Sequence, residues 1–389
     1  MTILTIILTL LMITFVVGGI NYYITRKIYQ YLNIFFPNIP KSIFAGIFIF
    51  LVLLLVIGFV RSMLPLPEIV KHILKVLNSY WMGIFVYLLI FFLLTDIVMF
   101  LGTMFKLIPR PLTPGYRLIA GTTAILLTIV ISCYGFIHAR TIKYANYDIS
   151  ISNTDKIIEN ELNIVMISDI HLGAVASESR LPEIVEGINS LQPDLVCIAG
   201  DLFDNDFYAI NDPDKCAQLF KKIDAAYGVW ACLGNHDSGK TYSDMISFTE
   251  DANINVLNDD YTIIDNRFVL VGRLDSSPIG GYGDITRAET EALMNNIPNS
   301  NLPVIVMDHN PAHISTYDNN IDLILSGHTH RGQIFPGSLF TNNMFTVDYG
   351  YYQKDELSPH VIVSSGVGTW GMPMRVGTDC EIINIKFHQ

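Results

Sequence analysis

Long apolar stretches occupy the first third of the chain. They cover about residues 2–20, 43–60, 80–102 and 118–137. Each stretch is close to the ~20 residues that a helix needs to cross a bilayer. The first stretch lacks a basic start and a small-residue cleavage motif, so we interpret it as an uncleaved helix and not as a signal peptide. The pattern predicts an N-terminal bundle of four transmembrane α-helices over residues 1–143.

After residue 160 the pattern changes to short apolar runs that alternate with amphipathic segments. Strands are predicted at 162–168, 194–200, 228–234, 254–257, 261–265, 268–273, 303–308, 322–327 and 360–366, and helices at 181–192, 213–227 and about 285–295. Strand–helix alternation of this kind is typical of parallel crossover units. Residues 144–389 are therefore predicted to form an α/β domain.

Charge is divided unevenly between these two parts. Residues 1–143 carry 11 Lys and Arg against two acidic residues, whereas the remainder carries 13 basic and 34 acidic residues. A domain with a net charge of −21 repels nucleic-acid phosphates, so no nucleic-acid partner is expected. If such a domain handles phosphate, it needs bound cations. The five cysteines have no paired spacing, which predicts free thiols.

Polar side chains with metal-binding chemistry follow five of the predicted strands. They are Asp169 and His171, Asp201, Asn235 and His236, His309, and His328 and His330. In open α/β sheets, sites form at the carboxyl ends of the strands. We therefore expect these residues to share one site, which explains why the motif GNHD interrupts an apolar run at 234–237.

The mixture of carboxylate, imidazole and amide ligands suits Mn, Fe or Zn better than a thiolate site would. Seven ligands are too many for one catalytic ion with an open position. They suit two divalent ions about 3.5–4 Å apart, bridged by a carboxylate. Such a pair can convert a bridging water to hydroxide and stabilise a phosphoryl oxygen. The remaining imidazole can protonate the leaving oxygen.

The ordered motifs DIH, GDLFDND, GNHD, DHNP and GHTH, within residues 160–389, resemble the calcineurin-like metallophosphoesterase superfamily. The resemblance implies a sandwich of two β-sheets flanked by helices. It also implies one metal held by Asp169, His171 and His330, a second held by Asn235, His309 and His328, Asp201 bridging both, and His236 as catalytic imidazole with Asp237 orienting it. The segment SSGVGTWGMPMR resembles a bacterial membrane-anchored branch, related to lipid-diphosphate hydrolases of the outer-membrane lipid pathway.

Several neighbouring residues have two interpretations. Arg331 and Arg375 are candidate substrate-binding residues because Arg pairs well with phosphate oxygens, and surface ion pairs are the alternative. For Asp204 and Asp206 we favour a solvated loop over contact with the metal ligands. For Trp370 we favour a packed core ring over a position lining a lipid-side pocket. Asp96 in the third apolar stretch is either a functional intramembrane charge or a residue that faces other helices.

The sequence thus predicts a membrane-anchored, two-metal phosphoesterase that hydrolyses a phosphate ester or diphosphate. Tethering favours a lipid-linked or membrane-associated substrate, with the bilayer as a partner. The alternatives are a catalytically weak regulatory protein that binds metal or nucleotide, and a transporter. The loops after the first and third stretches hold six basic residues, against five after the second and fourth. This count, together with the resemblance, favours a multi-pass protein with an extracytoplasmic catalytic domain.

Overall fold

The chain separates into two compact units, Met1–Gly135 and Phe136–Gln389. The computed structural model describes residues 3–60, 64–151, 156, 160–298 and 301–389. Residue 2, where the first predicted span begins, lies outside the described residues.

The first unit is helical. Its helices are α1 (Ile3–Phe35), α2 (Lys41–Val60), α3 (Glu68–Met104) and α4 (Pro114–His138), the last of which runs into the second unit. Helices α1 and α3 are longer than the apolar stretches that predicted them. Residues 69–79 precede the third stretch and still have apolar positions three and four residues apart, so the helix begins well before the fully apolar part.

Two helices among the described residues are long and apolar enough to cross a membrane. They are Ile69–Met104 and Pro114–His138, and a shorter apolar helical stretch covers Lys41–Ile57. The expectation of four spans is therefore supported by length and composition for α3 and α4.

The first unit contains an apolar cluster, and a partly exposed ion pair links two of its helices. Ile24, Leu51 and Phe92 belong to the apolar cluster, which draws on several helices. Asp96 of α3 forms an ion pair with Lys27 of α1 and accepts a hydrogen bond of 2.8 Å from the Tyr23 hydroxyl. Asp96 thus faces another helix, as the second of its two interpretations stated.

The second unit contains two mixed β-sheets. The first has strand order β1-β12-β2-β3-β4-β5 and the second has β10-β11-β9-β8-β7-β6. The strands are β1 (Ile142–Ser150), β2 (Leu162–Ile167), β3 (Leu195–Ala199), β4 (Val229–Cys232), β5 (Ile254–Val256), β6 (Asp260–Ile264), β7 (Phe268–Gly272), β8 (Val304–Met307), β9 (Leu323–Ser326), β10 (Gly350–Tyr352), β11 (His360–Val363) and β12 (Cys380–His388). Parallel pairing joins β2, β3, β4 and β5, and it also joins β7, β8, β9 and β11.

Strand β1 connects the first sheet to the preceding helix α4. Only three residues separate α4 from β1, and β1 pairs in parallel with the final strand β12 along its whole length. Asp379, just before β12, lies 2.7 Å from His138 Nε2 and 2.9 Å from Lys143 Nζ. The apolar-stretch analysis did not predict β1, β10 or β12.

Three apolar layers build the sandwich. Ile164, Leu270, Leu323 and Ile383 belong to the layer that draws on strands of both sheets. Helices α5 (Ser177–Ser190), α6 (Pro213–Phe220) and α7 (Tyr242–Asp251) share a second layer with the first sheet, and α8 (Thr290–Met294) shares the third with the second sheet. The predicted arrangement of two sheets flanked by helices is confirmed.

Predicted helix boundaries differ from the observed ones. Helix α6 ends at Phe220, seven residues earlier than predicted, and α8 begins at Thr290. Beyond α6 the chain turns towards β4, so the remaining residues of that amphipathic pattern serve as a connection. Helix α7 and helix α9 (Gly337–Met344) were not predicted.

Candidate metal centre

The predicted ligands converge at the carboxyl ends of strands from both sheets. Strand β2 is followed by Asp169 and His171, β3 by Asp201, β4 by Asn235, β8 by His309, and β9 by His328 and His330. Parallel strands carry their carboxyl ends to one edge of a sheet, which is why residues far apart in sequence meet here. The structure therefore brings all seven predicted ligands into one cluster.

One group of ligand atoms comes from β2 and β9. Asp169, His171 and His330 place their ligand atoms within 4.8 Å of one another. His171 Nε2 lies 3.1 Å from His330 Nε2, and Asp169 Oδ1 lies 3.3 Å from His330 Nε2. Two imidazole nitrogens and a carboxylate oxygen thus converge on one point.

The other group comes from β4, β8 and β9. His328 Nδ1 lies 2.9 Å from Asn235 Oδ1, and the rings of His309 and His328 meet edge to face at 5.2 Å. His309 Nδ1 lies 2.7 Å from the carbonyl oxygen of Ala199. A hydrogen bond there places the proton on Nδ1 and leaves Nε2 available as a ligand, as is usual for metal-binding histidines.

Asp201 lies between the two groups. Its Oδ2 is 3.1 Å from His309 Nε2 and 3.7 Å from His171 Nε2. Its Oδ1 accepts a hydrogen bond of 2.8 Å from the backbone N–H of His236. One carboxylate is therefore within reach of a ligand in each group, which is the geometry that a bridging carboxylate needs.

Burial and charge set the protonation of the cluster. Burial raises the pKa of the Asp201 carboxyl, but the charges of His309 and His171 outweigh it and hold that pKa below its usual range. Burial lowers the pKa of His171, and it lowers that of His328 to about 4. His330 has its pKa lowered by burial and by Arg375. His309 differs, because burial lowers its pKa but the charge of Asp201 outweighs burial and raises that pKa well above its usual value. His171, His328 and His330 are thus held neutral, which is the form in which an imidazole binds a metal.

Five of the predicted ligands have an unusual backbone conformation, which sets the direction of their side chains. Asp169, His171, Asp201, His328 and His330 all have positive φ, between 47° and 73°. Such conformations are costly for residues other than glycine and concentrate at functional sites. They persist here because the surrounding sheets fix the strand ends.

Glycine next to the ligands allows close packing. At Gly200, with φ of 80°, a Cβ would lie 2.5 Å from His309 Nδ1. At Gly234 a Cβ would lie 2.2 Å from Asp201 Oδ1. The glycines of the GD and GNHD motifs are therefore needed for space as well as for the turn.

His236 and Asp237 occupy different places. The His236 ring lies 4.9 Å from the His171 ring and 5.9 Å from the Trp370 ring, and its Nδ1 has no hydrogen-bond partner. Asp237 is buried and accepts hydrogen bonds from the backbone N–H groups of Phe203 and Gly234. Burial and the charge of Asp201 raise the pKa of Asp237 to about 7. The contacts of Asp237 fix the loop that carries His236.

The two arginine candidates differ in exposure. Arg331 is partly exposed and stacks over the Tyr349 ring at 4.2 Å. Arg375 is fully buried, and it donates hydrogen bonds to the carbonyl oxygens of His330, Ser365 and Gly368. Arg375 is thus placed to hold His330 and its neighbouring loop, away from the solvent.

Two acidic residues join the cluster beyond the predicted ligands. Asp275, three residues after β7, forms a group with His309 and His328 in which the ligand atoms lie within 4.8 Å. Asp204 forms another with His171 and His236. The preference for a solvated loop at Asp204 is therefore wrong. Asp275 lies in no recognisable motif, and its position after an apolar strand was the only sequence signal.

The position of Trp370 also differs from the sequence-based interpretation. Its side chain is 49% exposed, so the preference for a packed core ring is wrong. The loop that carries it ends beside His236, which keeps the ring at the surface of the site.

The residues present fit a divalent metal centre. Their donors are nitrogen and oxygen atoms of imidazole, carboxylate and amide groups, which suit borderline and hard divalent ions. Asp275 Oδ2, which lies within reach of His309 and His328, is buried without a hydrogen-bond partner. Buried polar atoms are rarely left without partners, so an unpaired donor atom at this edge indicates a ligand.

Comparison with known proteins agrees with this geometry. The family profile of calcineurin-like phosphoesterases matches residues 162–332. A zebrafish "transmembrane protein with metallophosphoesterase domain" is 28% identical over 91% of this chain and 82% of its own length. An "uncharacterized metallophosphoesterase" of Aquifex aeolicus is 30% identical over 67% of this chain and 98% of its own.

A metallophosphoesterase of Helicobacter pylori is 30% identical over 59% of this chain, and the match spans 60% of that protein. The matched profile covers the strand ends that carry every predicted ligand from Asp169 to His330. The chain belongs to the calcineurin-like phosphoesterase family and is a metal-dependent phosphoester hydrolase.

Proposed function

We propose that this protein is a membrane-anchored phosphoesterase that uses two divalent ions, Mn, Fe or Zn, to hydrolyse a phosphate ester or diphosphate. The position of Asp201 carries the proposal. Its carboxylate reaches both a ligand of the first group and a ligand of the second. A single-ion site would need no such bridge.

We assign the first ion to Asp169, His171 and His330, and the second to Asn235, His309 and His328. Asp201 belongs to both sets. When bound, such a pair of ions activates water and stabilises the oxygens of the transferring phosphoryl group. Asp275 lies against the second set and adds negative charge there.

His236 supplies the proton for the leaving oxygen. Its ring stands beside the first ligand group, 4.9 Å from the ring of His171, and its Nδ1 is free of hydrogen bonds within the chain. Asp237 orients His236 through the backbone, because its carboxylate accepts hydrogen bonds from Gly234 N–H in the same loop and from Phe203 N–H in the segment after β3. Arg331 contacts the substrate phosphate. The role of Arg375 is to hold the loop of His330.

The membrane part anchors the catalytic domain with four spans, and the catalytic domain lies outside the cytoplasm. Support comes from the four apolar stretches and from the length and composition of α3 and α4. The zebrafish relative is also named a transmembrane protein. We place the boundary of the two parts at residues 143 and 144. An anchored active site meets substrates that stay at the membrane, so we infer a lipid-linked phosphoester as the substrate class.

The test is a substrate screen with the full chain in detergent. Lipid phosphates and lipid diphosphates are compared with soluble nucleotides at equal concentration, with Mn²⁺, Fe²⁺ and Zn²⁺ supplied separately, and phosphate release is measured. We expect metal-dependent release that favours the lipids. Release from soluble nucleotides alone would overturn the assignment of the substrate class. If no tested ester released phosphate, the proposed hydrolysis itself would be contradicted.

A further inference from the structure

Beside the metal centre lies a group of exposed apolar side chains, here called the apolar rim. It consists of Phe335, Leu339, Phe340, Met344 and Trp370, with exposed fractions of 52%, 57%, 67%, 76% and 49%. Isolated exposed apolar residues are ordinary on protein surfaces, but a cluster of large ones marks an interaction site.

Helix α9 supplies most of the rim, and the protein core does not cover it. None of the eight residues of α9 is buried. Phe340 and Met344 are one turn apart, so their side chains share a face. A hydrogen bond of 2.7 Å from the Thr341 hydroxyl to the Asp348 carboxylate holds the helix to the following segment. Helix α9 is thus a fixed element whose large apolar side chains remain mostly exposed.

The rim is continuous with the active site. Gln333, before α9, exchanges hydrogen bonds with the backbone of Trp370 and donates another to the carbonyl oxygen of Met372. Trp370 approaches the ring of His236, and Phe345 at the end of α9 approaches the ring of His328 at 6.0 Å. Whatever covers the rim therefore lies at the mouth of the metal centre.

Charge distinguishes this segment from the rest of the domain. No Asp, Glu, Lys, Arg or His occurs from residue 332 to residue 347, although the part of the chain after residue 143 carries 34 acidic and 13 basic residues. An uncharged segment with exposed Phe, Leu, Met and Trp side chains has the composition of an interfacial element. Trp rings favour the level of lipid head groups.

We propose that the apolar rim docks on a lipid surface, so that α9 enters the interfacial layer and lipid phosphates face the metal centre. A bilayer is the occupant that the chain favours, because its own apolar helices keep one close by. A protein partner in this place would close the mouth of the site, whereas a lipid surface presents phosphates to it. The proposal rests on the membrane attachment in the proposed function and deepens its substrate class.

The experiment uses the full chain in nanodiscs of phosphatidylcholine and phosphatidylglycerol. Four native cysteines are buried and only Cys133 is exposed, so Cys133→Ser provides the background. Phe340→Cys is labelled with an environment-sensitive fluorophore, and nitroxide lipids serve as quenchers. Ser243→Cys, at an exposed position of α7, is the matched control. Met344→Cys is a second rim variant.

We expect a blue-shifted emission at both rim positions and quenching at least several-fold stronger than at Ser243→Cys. Quenching equal to that of the control at both rim positions would overturn the docking. A blue shift without quenching would also overturn it, since the rim would then be covered by protein. The measurement needs no turnover, so a failed substrate screen and a failed docking test are distinguishable.

Discussion

At the residue scale, the chemistry depends on side chains whose roles differ although they lie within a few ångströms. Asp201 joins the two ligand groups, and His236 stands beside them with an unpaired Nδ1. Their place could be predicted, because five of the predicted strands each end in side chains that can bind a metal, and such ends share one edge. Asp275 could not be predicted, since only the packing of β7 beside β8 brings it to His309.

His236→Ala is expected to keep its metal and lose rate. If His236 protonates the leaving oxygen, turnover falls roughly 10²–10⁴-fold. The loss shrinks for esters with very good leaving groups, which need little protonation. Metal content by mass spectrometry and turnover on two esters of different leaving groups measure both effects. A variant that loses its metal would make His236 a ligand and contradict the division of roles.

Asp275→Asn is expected to weaken binding of the second metal ion. Its Oδ2 is buried without a partner and lies within reach of His309 and His328, so removing its charge should lower metal affinity roughly 10–100-fold. Titration of chelator-treated protein measures the affinity for the second equivalent. The exposed Asp284→Asn is the control. Equal affinities in the two variants would remove Asp275 from the centre.

At the element scale, the strands that carry the ligands were predictable and the strands at the sheet edges were not. The buried central strands read as continuous apolar runs because both of their faces are covered. Strand β1 alternates exposed and partly buried residues and contains Lys143 and Asp148, so its composition does not mark it as a strand. Its partner β12 lies 238 residues further along the chain, since Ile142 pairs with Cys380. Such pairing follows from the tertiary fold.

The loop after β4 gives an element-scale prediction. Gly234→Ala would place a Cβ against Asp201, so the loop or the carboxylate has to move. We expect a loss of stability of roughly 1–3 kcal/mol, together with weaker metal binding. Thermal unfolding and metal titration measure both quantities. Gly46→Ala in α2, where a Cβ meets no atom within 4 Å, is the matched control. Wild-type metal affinity in Gly234→Ala would contradict the packing argument.

At the scale of the whole molecule, composition predicted a membrane part and an acidic catalytic part. The metal centre is formed by residues of the second unit alone. Loop charges differ by one basic residue between the two sides, which is too little for the sequence to fix the side of the membrane. The orientation therefore needs its own measurement.

Ser243→Cys in the Cys133→Ser background reports the side of the membrane. Residue 243 is exposed on α7, and the other native cysteines are buried. We expect a membrane-impermeant maleimide to label it in intact cells, because we propose that the catalytic domain lies outside the cytoplasm. Labelling that requires lysis would place the domain inside and contradict the orientation.

The central claim is that two cations share Asp201 and that hydrolysis requires both. The direct measurement is a metal titration of the chelator-treated full chain, followed by hydrolysis of 4-nitrophenyl phosphate and bis(4-nitrophenyl) phosphate. We expect activity to rise until about two equivalents of Mn²⁺ are bound per chain, as for other two-metal sites. Asp201→Asn should bind less metal and show no hydrolysis. Full activity at one equivalent, or wild-type metal content and turnover in Asp201→Asn, would contradict the account.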